Sequence, residues 1–293
     1  MSHLEILKTY KIFIGGQFPR TESGRYYPLN DKKGNLIANM CLSSRKDFRN
    51  AAVAARGAQG AWASRAAFNR GQILYRIAEV LEGRKSQFIS ELVQQGSTAK
   101  AAEEEVNLAI DRWVYYAGWC DKYTALFSSV NPVASSHFNF SVPEPTGVVA
   151  IVAPEDSSLI GLVSVIAPAI AGGNTVIVLA SENKPLCSVT LSEVIHSSDM
   201  PGGVVNILTG TSKELHTHFA SHMDVNAFIY TRSDKAEIKK MQEEAVANVK
   251  RSYIYNKNWM KEEGQSPYFI CDLQETKTTW HPIENIGAAK AGY

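Results

Sequence analysis

Chemistry at a protein site needs a nucleophile, a proton carrier or a set of metal ligands, and this sequence supplies few of each. Its four cysteines, Cys41, Cys120, Cys187 and Cys271, stand far apart, with no C-x-x-C pair. That spacing argues against both a disulfide framework and a cysteine-rich metal site. Cys271 lies in the apolar run Tyr268-Phe-Ile-Cys-Asp-Leu, a setting that reads as a packed small hydrophobe rather than a reactive thiol. His216, His218 and His222 are closely spaced, and on a helix His218 and His222 would share a face. No cysteine or carboxylate cluster completes a metal shell beside them, so the expectation is an exposed polar helix and no metal.

Positioning such residues requires elements, and the totals bound what these can be. The chain has 293 residues, 45% of them hydrophobic, with 30 basic and 29 acidic side chains. The apolar share is enough for a real core and excludes disorder. A net charge of +1 gives no long-range field for nucleic acid or an anionic membrane. The longest apolar run, Leu159 to Ala171, is shorter than the ~20 residues that cross a bilayer. No secretory signal opens the sequence, and a soluble, cytoplasmic protein is expected.

Helical patterning runs from about Lys46 to Val130. It comprises alanine-rich Asp47–Ala63, then Asn69–Gln94, then a stripe of Val106, Ile110, Trp113, Ala117 and Cys120 at 4-3-4-3 spacing. Residues 137–143 alternate as a half-exposed strand before Pro143 and Pro145 break it. Between 147 and 255, short β-branched runs alternate with helices, the rhythm of a parallel sheet covered on both faces. Ligands of such sheets bind outside the carboxyl ends of the strands. Beyond Asn256 the pattern is irregular, with one strand-like piece near 277–281.

Several segments, in order, resemble the aldehyde dehydrogenase superfamily. They are Lys11-Ile-Phe-Ile-Gly-Gly, Glu144-Pro-Thr-Gly-Val-Val-Ala-Ile-Val-Ala-Pro, Ala167-Pro-Ala-Ile-Ala-Gly-Gly-Asn-Thr-Val-Ile-Val with Ser181-Glu182, and Pro201-Gly-Gly-Val-Val-Asn-Ile-Leu-Thr-Gly. Asn248-Val-Lys-Arg-Ser-Tyr and Thr276-Lys-Thr-Thr-Trp-His-Pro further resemble the degenerate second unit of the two-unit family-16 members. That resemblance implies a three-layer Rossmann-like sheet with N-terminal helices and a small β oligomerisation extension, and a catalytic domain that is largely missing. It divides the chain into a dinucleotide-domain-like part over 1–255, including strand 137–143, and a C-terminal segment over 256–293.

The same resemblance assigns positions to the family's chemistry. The asparagine of the family's Pro-Trp-Asn, an oxyanion donor, corresponds to Asp156, an acceptor where a donor is needed; one lost donor costs ~10²–10³ in rate. The general-base glutamate corresponds to Tyr255, whose ordinary pKa of ~10 makes it a weak base at neutral pH. The ribose-binding lysine corresponds to Leu179, which cannot donate. Glu182, near that ribose in the family, is retained. The phosphate-facing turn reads Tyr230-Thr-Arg-Ser, so Arg232 and Ser233 join Glu182 as cofactor-binding candidates, although Arg232 adds bulk where glycine lets a backbone approach. A solvated loop arginine is the expectation for Arg232.

Together these readings point to a non-catalytic unit with a structural, oligomerising or protein-interaction role. Its expected partner is itself, an active aldehyde dehydrogenase unit or another protein. No cofactor is expected, though the retained positions leave room for NAD(P). Two alternatives stay open: an NAD(P)-dependent oxidoreductase acting on aldehydes, and an NAD-binding sensor without turnover.

Overall fold

The computed structural model describes residues 8–31 and 33–283. Five parallel strands form the central sheet: β5 (Val148–Val152), β6 (Thr175–Leu179), β7 (Val205–Leu208), β8 (Ala227–Tyr230) and β9 (Arg251–Ile254). Their order is β7-β6-β5-β8-β9. The chain winds outward from β5 through β6 to β7, then returns to β8 on the other side. The direction of winding therefore reverses between β5 and β8, which makes their carboxyl ends the place where a crevice opens.

Alternating residues of the buried strands feed two cores. Val149, Ile151, Val176 and Val178 face one layer. It contains α6 (Ile160–Ala171), α7 (Leu186–His196), α2 (Ala67–Gly83), α3 (Lys85–Gln94) and α4 (Ala99–Trp119). Val148, Ala150, Val152, Ile177 and Leu179 face the other. That layer holds α1 (Arg45–Ala63), α8 (Ser212–Ser221) and α9 (Lys235–Ala245). Every residue of α6 is buried, because the helix is sandwiched between the sheet and α4. Full burial of each large aliphatic side chain is worth ~1.5–3 kcal/mol, so this helix anchors the domain. The α/β class and the doubly covered parallel sheet expected from the strand-helix rhythm are what the chain adopts.

Three asparagines lock the amino ends of the strands. Asn174 accepts from Gly147 N at 2.9 Å and donates to Leu273 O at 3.0 Å. Asn206 accepts from Gly15 N at 2.9 Å and donates to Val176 O at 3.1 Å. Asn226 accepts from Val148 N at 3.0 Å. The turn before Asn174 requires Gly173, whose φ of +89° is costly for a side-chain-bearing residue.

A second sheet is antiparallel, in the order β10-β4-β3, from β3 (Ser129–Asn131), β4 (His137–Pro145) and β10 (Gln274–Pro282). The strand expected over 137–143 continues through both prolines to Pro145. At that end β4 pairs only with β10, as Thr276 opposite Pro143 and Gln274 opposite Pro145, while β3 reaches no further than Ser141. One side needs no donor there, so proline is tolerated. The strand near 277–281 likewise begins earlier, at Gln274, whose amide donates to Gly172 O at 3.2 Å.

Other boundaries differ from the sequence reading. The helix expected over Asn69–Gln94 breaks at Arg84, whose guanidinium binds Gln87 at 2.7 Å and pairs with Glu193 on α7. The helical stretch also ends sooner: short α5 (Tyr123–Phe127) gives way to strand β3. The hairpin of β1 (Tyr26–Asn30) and β2 (Leu36–Cys41) was not anticipated. The C-terminal segment is less irregular than expected, since α10 (Tyr268–Cys271) precedes β10. Its last ten residues lie outside the described ones.

Candidate functional site

The crevice at the carboxyl ends of β5, β6 and β8 is crossed by one side chain. Arg232, two residues beyond β8, donates from Nε to Ala153 O at 3.0 Å and from Nη2 to Ala180 O at 3.1 Å. Its Nη1 lies 2.6 Å from Glu182 Oε1 and 3.0 Å from Glu155 Oε2. Only 11% of the Arg232 side chain is exposed. The solvated loop arginine expected from sequence is therefore wrong, because two carbonyls and two carboxylates converge on the guanidinium and hold it inward.

Helix amino termini around the crevice are likewise already supplied with anions from the chain. Glu182 Oε1 accepts from Ser212 N, at the start of α8, at 2.6 Å. Asp234 caps α9 by accepting from Ala236 N at 2.8 Å and Glu237 N at 3.1 Å. Glu105, on α4, accepts from Leu159 N and Ile160 N, each at 3.0 Å, at the start of α6. Such amide groups are the usual receptors for a phosphate or oxyanion. Glu155 further accepts from Asn183 N at 2.7 Å and Glu182 N at 3.2 Å, closing the β6 turn.

Leu179, at the end of β6, is fully buried in the core and offers no donor. Ser233 is exposed beside Arg232. The structure thus brings Glu182 and Arg232 into contact with each other, with Leu179 at the base of the same crevice.

A model of the aldehyde dehydrogenase family matches residues 19–276. The chain belongs to the aldehyde dehydrogenase family. It is 30% identical over 281 residues to the cytosolic 10-formyltetrahydrofolate dehydrogenase of Mus musculus, covering 93% of this chain but 30% of that protein. To the mitochondrial benzaldehyde dehydrogenase of Antirrhinum majus it is 28% identical, covering 89% of this chain and 48% of that one. Among solved structures it superposes on HpcC from Thermus thermophilus with a TM-score of 0.80 and 26% identity, over 84% of this chain and 48% of that one. An NAD+ complex of an aldehyde dehydrogenase from Bacillus cereus shares the fold, with a TM-score of 0.79. The chain therefore spans roughly a third to a half of the length of these relatives, and most of the family's catalytic domain has no counterpart in it.

The remaining aldehyde dehydrogenase positions lie around a second, polar cleft of about 450 Å³. Asp156 lines it, exposed, together with Glu105, Glu263 and Lys257. Tyr255 is buried beneath it and donates from its hydroxyl to Asp272 Oδ2 at 2.7 Å. Burial, and then the Asp272 carboxylate, push the Tyr255 phenol far above its ordinary value, so it cannot serve as a base. Cys271 does not line this cleft. Its thiol is also pushed up, by burial first and by Asp272 second, the opposite of what activates a thiolate nucleophile.

The histidine-rich helix departs from expectation in one respect. His216 is buried, with Nδ1 2.8 Å from Ser212 O. It faces α9, with Nδ1 3.8 Å from Glu237 Oε1, while His218 and His222 share the half-exposed side. Among the described residues no three metal-ligating side chains come together, and no helix is long and apolar enough to cross a membrane.

The residues arranged at the crevice do not fit a dinucleotide. A guanidinium fills the space, Leu179 offers no ribose contact, and Glu182 is already committed to two partners. Sequence reasoning missed Glu105, Glu155 and Asp234. Asp234 had a legible signal, since Asp followed three residues later by Glu237 is an N-cap pattern. Glu105 acts across the tertiary fold and had none.

Proposed function

We propose that this chain is a non-catalytic member of the aldehyde dehydrogenase family with a structural role, pairing with itself or with an active family unit. One observation carries the reading: Arg232 bridges Glu155 and Glu182 across the crevice that a dinucleotide would need. Displacing it breaks charge-assisted bonds worth ~1.5–3 kcal/mol each. Even at the lower end, for carboxylates about 30% exposed, that weakens a competing ligand by roughly 10²-fold. The Asp156 carboxylate, an acceptor where the family has a donor, supports the same reading.

Association would use the small antiparallel sheet. Its flank exposes Val130 and Phe138, and β10 exposes Trp280. A sheet edge with apolar residues beside it suits strand-to-strand pairing. The free cysteines fit a reducing compartment such as the cytosol.

Calorimetry with NAD, a search for NADH production from simple aldehydes, and sedimentation test this on one preparation. The expected result is no saturable NAD binding, no turnover, and a dimer. Turnover abolished by Cys271→Ala would establish the oxidoreductase reading instead. Saturable NAD binding without turnover would establish the sensor.

A further inference from the structure

On the outer side of the sheet layer that holds α1 and α8, these two helices present four basic side chains to one hollow. Helix α8 leaves the carboxyl end of β7 and arrives at the amino end of β8, so its last turn lies remote from the crevice. There His218 and His222, one turn apart, face Arg45 and Arg49, one turn apart on α1, around a cavity of about 380 Å³. Phe48 forms the floor. Its ring stacks on Phe219 at 4.7 Å, and the His222 ring meets it edge-on at 5.5 Å. Met223, exposed, stands at the rim.

Many arginines of the molecule are already engaged. Arg25, Arg76, Arg84 and Arg251 each pair with a glutamate. Neither Arg45 nor Arg49 has a carboxylate partner among the described residues. Arg45 also begins α1, the positive end of the helix dipole, where a cation is disfavoured. Behind the cavity, Lys250 is buried and donates from Nζ to His222 O at 2.7 Å and Val225 O at 2.8 Å. Burial holds both half-exposed histidines below their ordinary pKa. For His218 the Arg45 guanidinium adds to this against Glu214; for His222, Lys250, Arg49 and Arg45 add to it against Asp224. The hollow is thus rich in positive charge over an aromatic floor, and the carboxylates nearest its histidines, Glu214 and Asp224, are paired with Arg25 and Arg56 instead.

We propose that this pocket binds a small phosphate monoester, its phosphate held by Arg45 and Arg49 with the imidazoles of His218 and His222, and its apolar body laid on Phe48 against Met223. Arginine pairs with phosphate through parallel N–H donors, and two such forks one helical turn apart can share one anion. The apolar floor distinguishes a monoester from free phosphate. This inference is independent of the catalytic status of the crevice.

The test follows the His218 and His222 imidazole resonances of the full chain by NMR, at constant ionic strength, during titration with inorganic phosphate and then with phenyl phosphate. Saturable shifts at both histidines are expected, with phenyl phosphate tighter. Arg45→Ala with Arg49→Ala should weaken binding by roughly tenfold per arginine. Lys46→Ala, which removes an adjacent lysine paired with Glu22, should leave it unchanged. Both arginines are exposed, and circular dichroism confirms that the variants fold. Shifts that do not saturate, that chloride reproduces, or that persist in the double variant would overturn the proposal. So would equal affinity for the two phosphates, as regards the apolar body.

Discussion

Arg232 Nη1 lies 2.6 Å from Glu182 Oε1, and this pair spans the mouth between β6 and β8. Glu182 is the family's ribose-side glutamate by resemblance, yet its carboxylate is held by an internal guanidinium and by Ser212 N. A retained residue is therefore not a retained contact.

Opening the crevice should restore room for a nucleotide. Arg232→Gly combined with Leu179→Lys removes the bridge and supplies a donor at the end of β6. NAD affinity should rise by roughly 10²-fold over the parent, at the expense of at least ~3 kcal/mol of stability, from the lost charge-assisted bonds and from a lysine set at the fully buried position of Leu179. Calorimetry and thermal melting measure both; unchanged NAD affinity would show that the crevice is closed by something besides Arg232.

Arg112 should prove a structural hub. It is buried in α4, donates to Trp259 O at 2.8 Å and to Ser164 on α6, and so ties the segment after β9 to the core. Arg112→Ala should destabilise the chain by ~2–4 kcal/mol through a cavity and an unpaired carbonyl. Chemical denaturation gives the total, and faster amide exchange over 256–264 should locate it.

Lys250 gives a pH signature. Burial lowers its pKa to about 8, below its ordinary value of about 10.5 in an unfolded chain. Between those values the unfolded state binds more protons than the folded one, so stability gains from this group as pH rises from about 8 toward 10.5. Wild type should gain on Lys250→Met over that interval in denaturation midpoints. A constant difference between the two would contradict the assignment.

Association through the small sheet predicts sensitivity on its exposed face. Val130 and Phe138 are 67% and 48% exposed, so charging them should leave folding nearly intact. Val130→Lys with Phe138→Lys should convert a dimer to a monomer in sedimentation, with the melting temperature of the monomer little changed. A dimer that survives the pair of lysines uses another surface.

Much of the architecture was legible because it depends on local periodicity. The β-branched runs that became β5, β6, β7 and β8, and the spacing of Val106, Ile110 and Trp113 on α4, report period directly. Elements stabilised by distant partners were not legible. The β1–β2 hairpin carries no signal that the sequence reading used, the length of β10 depends on pairing with β4 over a hundred residues away, and Pro143 and Pro145 are tolerated only because β4 has one partner there.

For the site, residue types alone decided what chemistry was lost: Asp156 cannot donate, Leu179 cannot hydrogen-bond, and Tyr255 carries no carboxylate. Whether Arg232 would wave in solvent or bolt the crevice shut could not be decided that way. Its side chain takes its role from Ala153, Glu155, Ala180 and Glu182, which belong to two other strand ends. Only the parallel sheet brings those ends together, and a guanidinium surrounded by two carbonyls and two carboxylates has no better place to go.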